Sequence, residues 1–256
     1  MYLTINDLTI YYEKYGNKKK IILILPGWGN TRETFYNIIN NFKEDYTIYI
    51  IDYPGLGNSP IPNKDLTIYD YTELIINFMK KLNIKNPIII AHSFGGRITT
   101  LLTGYYKQKI DKLILIDIAG IKPKKTIKQL IKQSTYKLFK KIIKPLSKLK
   151  QETINQKLLK FFASKDYQSL PPSMHKTFKN IINENLIKYF KDIESETLII
   201  WGEKDQDTPL KDGIKISKLI KNSALITYKK ATHYSYLQYP DLTNKIIYEF
   251  IKETNQ

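Results

Sequence analysis

Two periodicities alternate along this chain. Solid apolar runs at Ile21–Leu25 and residues 87–91, 112–118 and 197–201 read as strands buried on both faces. Tyr2–Ile5 and Leu8–Tyr15 instead alternate apolar with polar and are rich in Tyr, Thr and Ile, which predicts a hairpin at a sheet edge. Residues 46–51 and 224–228 complete the strand set. Between the strands the apolar spacing turns helical: from an N-cap at Asn30 or Thr31 to about Phe42, over residues 66–82, onward from Phe94, and over residues 210–220 and 237–251. Strands that alternate with helices predict a mainly parallel sheet covered on both faces and joined by right-handed crossovers. Ligands on such sheets bind beyond the carboxyl ends of the strands. The chemically suggestive loops here all follow strands.

Residues 121–191 interrupt the alternation. Ile127, Leu130, Ile131, Leu138, Ile142 and Ile143 keep helical spacing, with lysines between them. Pro145 and then Pro171-Pro172 break the stretch, and residues 154–163 and 174–182 are again helical in pattern. The expectation is a helical cap inserted after the sixth strand and lying over the strand ends. The core domain would then be built from residues 1–120 and 192–256.

Charge changes the picture of that insertion. The net charge is +17, yet residues 121–191 hold eighteen lysines against Glu152, Asp166 and Glu184, leaving only +2 for the rest of the chain. Arginine occurs twice, at Arg32 and Arg97, a bias that suggests an AT-rich genome. Codon bias accounts for Lys in place of Arg but not for the scarcity of acids. A basic segment of this kind suits an acidic partner: an acyl carrier protein, coenzyme A or an anionic membrane surface. The plainer reading is a solvated helical face. No recognition motif for nucleic acid accompanies the charge.

A length of 256 residues accommodates one α/β domain with an insertion. The chain has no cysteine, which excludes disulfides, cysteine catalysis and Cys-ligated metals. It has no run of eighteen apolar residues for a membrane span, and residues 1–16 lack the pattern of a signal peptide, so a cytoplasmic protein is expected.

The chemistry concentrates where an apolar strand ends in Ala91-His92-Ser93-Phe94-Gly95-Gly96. Small-x-Ser-x-Gly between strand and helix predicts a nucleophile elbow, a sharp turn whose close backbones admit only small residues two positions from the serine. A serine hydroxyl needs a base, usually a histidine oriented by a carboxylate. Of three histidines, His92 adjoins Ser93 and should point away, and His175 lies in the insertion with no partner pattern. His233 follows a strand and is the expected base. The loop Gly202-Glu203-Lys204-Asp205-Gln206-Asp207-Thr208-Pro209 also follows a strand. Asp205 is the expected carboxylate there, and Asp207 is read as an N-cap for the helix beginning near Pro209. Asp117, at the end of an earlier strand, is the outside candidate. The loop Pro26-Gly27-Trp28-Gly29 and the turn after Ser93 should supply the Trp28 and Phe94 amides to an oxyanion, with the Trp28 indole walling an acyl pocket.

These motifs resemble the α/β-hydrolase superfamily along nearly the whole chain. The shared stretches are residues 25–29, Asp52-Tyr53-Pro54-Gly55-Leu56-Gly57-Asn58-Ser59, residues 91–96, residues 201–209 and Thr232-His233, in the family's order Ser, Asp, His. The chain is similar to small bacterial serine hydrolases with a helical cap. Pro26 stands where many members have His, and Ala91 where most have Gly. The resemblance implies a Ser93–His233–Asp205 triad cleaving a small-molecule carboxylic ester or thioester through an acyl-enzyme. No cofactor or metal is needed, and no nucleotide-binding glycine motif follows a strand. Carbon–carbon bond hydrolysis, perhydrolysis and acyl transfer use the same triad, and a non-catalytic binder uses the same fold, so they remain the alternatives.

Overall fold

A computed structural model describes residues 1–122 and 165–252, with residues 134, 135, 138, 139 and 154 between them. The described strands form one eight-stranded sheet in the order β1-β2-β4-β3-β5-β6-β7-β8. In chain order they are β1 (Tyr2–Ile5), β2 (Leu8–Tyr15), β3 (Ile21–Leu25), β4 (Thr47–Asp52), β5 (Ile88–His92), β6 (Lys112–Ile116), β7 (Glu196–Gly202) and β8 (Ser223–Tyr228). The β1–β2 and β2–β4 pairs are antiparallel, and every other pair is parallel. The expected edge hairpin and the expected parallel sheet are both present.

The described helices are α1 (Tyr36–Phe42), α2 (Ile68–Lys81), α3 (Phe94–Thr100), α4 (Lys165–Ser169), α5 (His175–Asn183), α6 (Ile187–Phe190), α7 (Leu210–Leu219), α8 (Ser235–Gln238) and α9 (Pro240–Ile251). Period-two parity sorts the strand residues into two cores. Leu23, Leu25, Ile89, Ala91, Leu113, Leu115, Ile199 and Trp201 face α2 and α3, with Ile181, Leu186 and Phe190. Ile22, Ile24, Ile88, Ile90, Ile114, Ile116, Leu198 and Ile200 face α1 and α9. Each fully buried Ile, Leu or Phe contributes about 1.5–3 kcal/mol.

Several boundaries differ from the sequence pattern for local reasons. The first helix is split: Arg32–Phe35 winds as a 3₁₀ turn before α1, and the Thr31 N-cap makes no side-chain cap bond. α2 starts at a capping box the pattern did not mark, in which Thr67 Oγ1 accepts the Asp70 amide and Asp70 accepts the Thr67 amide. Beyond α3, Leu101–Tyr105 continues as a π-helical turn. The strand expected to reach residue 118 ends at Ile116, because Asp117 takes a φ of 46°. The last helical run breaks at Tyr239-Pro240 into α8 and α9.

Within the insertion, residues 174–182 are helical as expected, seen as α5 preceded by a 3₁₀ turn at Pro172–Met174. The helical patterns over residues 127–143 and 154–163 lie outside the described residues, apart from the five positions named above. α5 is anchored to the core by the Leu66 amide donating to Thr177 Oγ1 at 2.9 Å and by a Lys176–Asp65 ion pair at 2.7 Å. No helix among the described residues is long and apolar enough to cross a membrane.

Candidate active site

β5 delivers Ser93 to the carboxyl rim of the sheet. Its φ of 47° and ψ of −108° place it in a strained region that costs of order 1–3 kcal/mol. Four backbone hydrogen bonds hold the turn: Ser93 N to Ile116 O (3.2 Å), Gly96 N and Ala119 N to Ser93 O (3.0 Å each) and Gly95 N to Pro26 O (3.0 Å). A Cβ on Gly95 would sit 1.9 Å from Leu25 O. The turn can therefore press against the end of β3 only with glycine at this position.

His233 lies in the loop after β8, and its Nε2 stands 2.9 Å from Ser93 Oγ. Its Nδ1 stands 2.8 Å from Asp205 Oδ2. A carboxylate only accepts, so Nδ1 carries the proton and Nε2 is left to accept from the serine. The Asp205 carboxylate takes three further hydrogen bonds: Oδ1 accepts the Asp207 and Thr208 amides, and Oδ2 accepts Thr208 Oγ1 at 2.6 Å. Burial pushes the Asp205 carboxyl up, but the hydrogen bond and charge of His233 and the Thr208 donors outweigh it, so its pKa is lowered. Burial likewise disfavours charge on His233, and Asp205 more than compensates, leaving its pKa raised above the ordinary 6.5.

The other candidates fall elsewhere. Asp207 does not cap α7: its side chain is exposed, no side-chain cap bond is made, and Pro209 occupies the N-cap position. Its contribution is the backbone amide given to Asp205. Asp117 is fully buried and accepts from Gly202 N (2.8 Å), Ser235 N (3.0 Å) and Ser235 Oγ. Burial outweighs those donors and pushes its carboxyl up to about 7. It ties the ends of β6 and β7 to the loop carrying His233. His175 stacks on Tyr167 with ring centroids 4.1 Å apart. Thr208, to which the sequence pattern gave no role, also donates within the Asp205 network.

Two turns leave amides free. Gly95 N, Gly96 N and Asn30 N are spent on carbonyls, whereas Phe94 N and Trp28 N have no hydrogen-bond partner among the described residues. The Trp28 ring packs against Phe94 (5.1 Å), Tyr71 (6.3 Å) and Phe178 of α5 (5.4 Å), an aromatic wall shared between core and insertion. Asp205, Asp207 and His233 also offer ligand atoms within 4.8 Å of one another, but the hydrogen bonds above already occupy Asp205 and His233 Nδ1. An open groove of about 650 Å³, lined by Asn86, Lys107, Asp111 and Glu194 among others, lies at the opposite rim, where β5, β6 and β7 begin.

Residues 20–240 match the family described as alpha/beta hydrolase fold. A probable serine hydrolase of Drosophila melanogaster is 32% identical over 116 residues, 44% of this chain, which spans 35% of that relative's length. The uncharacterized hydrolase YugF of Bacillus subtilis is 23% identical over 267 residues, covering 97% of this chain and 96% of the relative. Among solved structures, an alpha/beta hydrolase enzyme from a Medee basin deep-sea metagenome library superposes with a TM-score of 0.77. It is 19% identical and covers 100% of this chain and 98% of its own, a likeness of fold.

Proposed function

This chain belongs to the alpha/beta hydrolase fold family, and we propose that it is a serine hydrolase acting on carboxylic esters or thioesters of small molecules. The observation that carries this reading is the unbroken hydrogen-bonded line from Ser93 Oγ through His233 to Asp205, at 2.9 and 2.8 Å. In the first half-reaction His233 Nε2 takes the Ser93 proton as Oγ attacks the acyl carbon. The carbonyl oxygen becomes an oxyanion facing the Trp28 and Phe94 amides, each worth about 2.7–4 kcal/mol to the transition state. As the intermediate collapses, His233 returns the proton to the departing alcohol or thiol. Water then attacks the acyl-Ser93 ester, His233 again acting as base, and the free acid leaves with Ser93 restored. Asp205 holds the imidazole in its Nδ1–H tautomer and stabilises the imidazolium.

In this reading residues 121–191 form the cap over the acyl site, and residues 1–120 and 192–256 form the core. Support comes from Phe178, which the insertion places against Trp28. The surplus of lysines in the cap favours an acidic partner, such as an acyl carrier protein, coenzyme A or an anionic membrane surface, that presents the acyl group. The test is a p-nitrophenyl ester series of increasing acyl length beside carrier-linked acyl thioesters, each at low and high salt. Turnover abolished by Ser93→Ala supports the hydrolase, and a steep salt loss confined to the carrier-linked substrate supports the acidic partner. No turnover of any ester by the folded wild type overturns the hydrolase reading, and equal salt responses overturn the partner.

A further inference from the structure

Strand parity turns His92 away from the α2 and α3 face. It follows Ile88 and Ile90 on the side that packs on α1 and α8, where Asn30 of the loop after β3 meets Tyr234 of the loop bearing His233. The ring is fully buried and makes two hydrogen bonds: Nε2 to His233 O at 2.8 Å, and Nδ1 to Asn30 Nδ2 at 3.0 Å. Asn30 Oδ1 in turn accepts from Tyr234 Oη at 3.2 Å. The direction of this chain is fixed at one end. A backbone carbonyl can only accept, so His92 Nε2 must carry a proton. In the neutral ring Nδ1 is then bare, so Asn30 must offer its NH₂ there and its carbonyl oxygen to Tyr234. Burial and the neighbouring His233 hold the His92 pKa down at about 3, so the ring stays neutral. The contact with the loop after β3 is close. A Cβ on Gly27 would lie 2.7 Å from His92 Nδ1, so the ring packs directly on the backbone that presents the Trp28 amide.

We propose that His92 is a positioning residue: one neutral imidazole, attached to the nucleophile turn itself, sets the backbone of the base at His233 and the loop of the Trp28 oxyanion donor together. The inference rests on the serine hydrolase reading above. Its function is geometric: it registers three segments that are remote in sequence to one another, and no proton passes through it during turnover. Loss of either hydrogen bond also leaves a buried polar group unpaired, so the two loops must shift or admit water.

The test compares His92→Phe, which keeps a ring but loses both hydrogen bonds, with His92→Gln, whose amide can donate to His233 O and accept from Asn30. Steady-state kinetics on a p-nitrophenyl ester and the rate of fluorophosphonate labelling are read beside the melting temperature. His92→Phe should lose about 10²-fold in kcat, the cost of misplacing reacting groups by about 1 Å, with KM changed by no more than about threefold. His92→Gln should restore kcat to within about tenfold of wild type, since it returns both hydrogen bonds. Asn30→Ala removes one link at a half-buried position, and it decides the matter if His92→Phe does not fold; kcat should fall about tenfold, with KM held. A folded His92→Phe within twofold of wild type in kcat, a His92→Gln as damaged as His92→Phe, or losses that appear in KM alone would overturn the proposal. A wild type that neither turns over esters nor labels would overturn the hydrolase reading itself. An active wild type with an undamaged His92→Phe overturns only the role of His92.

Discussion

Asp205→Asn separates the two things a carboxylate does in this loop. At the Oδ1 position the asparagine oxygen still accepts the Asp207 and Thr208 amides, so the loop keeps its shape. At the Oδ2 position an NH₂ now stands 2.8 Å from His233 Nδ1 and close to Thr208 Oγ1. Thr208 can rotate to accept from it. With Thr208 Oγ1 turned to the new NH₂, His233 relieves the clash by presenting a bare Nδ1, which moves its proton to Nε2. That proton faces Ser93 Oγ at 2.9 Å, so the ring can donate to the serine but no longer accept from it. Removing the base in this way costs about 10⁴ in kcat for triads of this kind, or about 5.4 kcal/mol at 1.36 kcal/mol per decade. Asp207→Asn is the control, because the Asp207 side chain is exposed and its backbone amide is untouched; it should change kcat by no more than about threefold and stability by about 0.5 kcal/mol or less. The assay is kcat on a p-nitrophenyl ester at pH 8, with thermal melts to establish folding. A folded Asp205→Asn that keeps a tenth of wild-type kcat, or an Asp207→Asn equally damaged, would refute the assignment of the carboxylate.

Three further outcomes follow from the same geometry. As the proposed base, His233 can take a proton only when neutral, and its pKa is raised, so the acid limb of kcat/KM should lie above 6.5. By the same linkage, the stability gained from the imidazolium–Asp205 pair is complete below 6.5 and is lost as pH rises through the folded value; a kinetic limb at or below 6.5 contradicts both. Asp117→Asn must set an amide N–H against one of the donors from Gly202 and Ser235, which should cost about 1–3 kcal/mol in denaturant titrations while kcat falls far less than in Asp205→Asn. Unchanged stability would remove Asp117 from its place as the tie between the ends of β6 and β7 and the loop carrying His233. Gly95→Ala drives a methyl into Leu25 O, so it should destabilise by at least about 1–3 kcal/mol and abolish labelling of Ser93; a stable, reactive variant would show that the elbow has room it should not have.

Much of the architecture was legible in the chain because its signals are local. The strand segments are short and bounded, the apolar ones mostly separated by helical periods and the two N-terminal ones alternating, and all eight pair as one sheet. What the pattern missed depends on contacts distant in sequence or on single dihedral angles. Nothing in the run ending at residue 118 marks the φ of 46° at Asp117 that stops β6 two residues early. Asp207 before Pro209 looks like a cap by composition, yet its amide is drawn to Asp205, and that pull leaves its side chain in solvent. Ser93, Asp205 and His233 were each marked by a strand-end position, and His233 stands within hydrogen-bonding distance of both Ser93 and Asp205. The two hydrogen bonds of His92 reach partners 62 and 141 positions away, which no local pattern encodes. The lysine-rich stretch was legible as a break in the alternation, and its returning half is seen in α5 packed on the aromatic wall.

The central claim is that Ser93 is an activated nucleophile. Intact-mass analysis after treatment with a fluorophosphonate, wild type beside Ser93→Ala, tests it most directly. The account predicts one adduct per chain on the wild type and none on the variant. A folded wild type that takes no adduct, or a Ser93→Ala protein that still labels once, would contradict it.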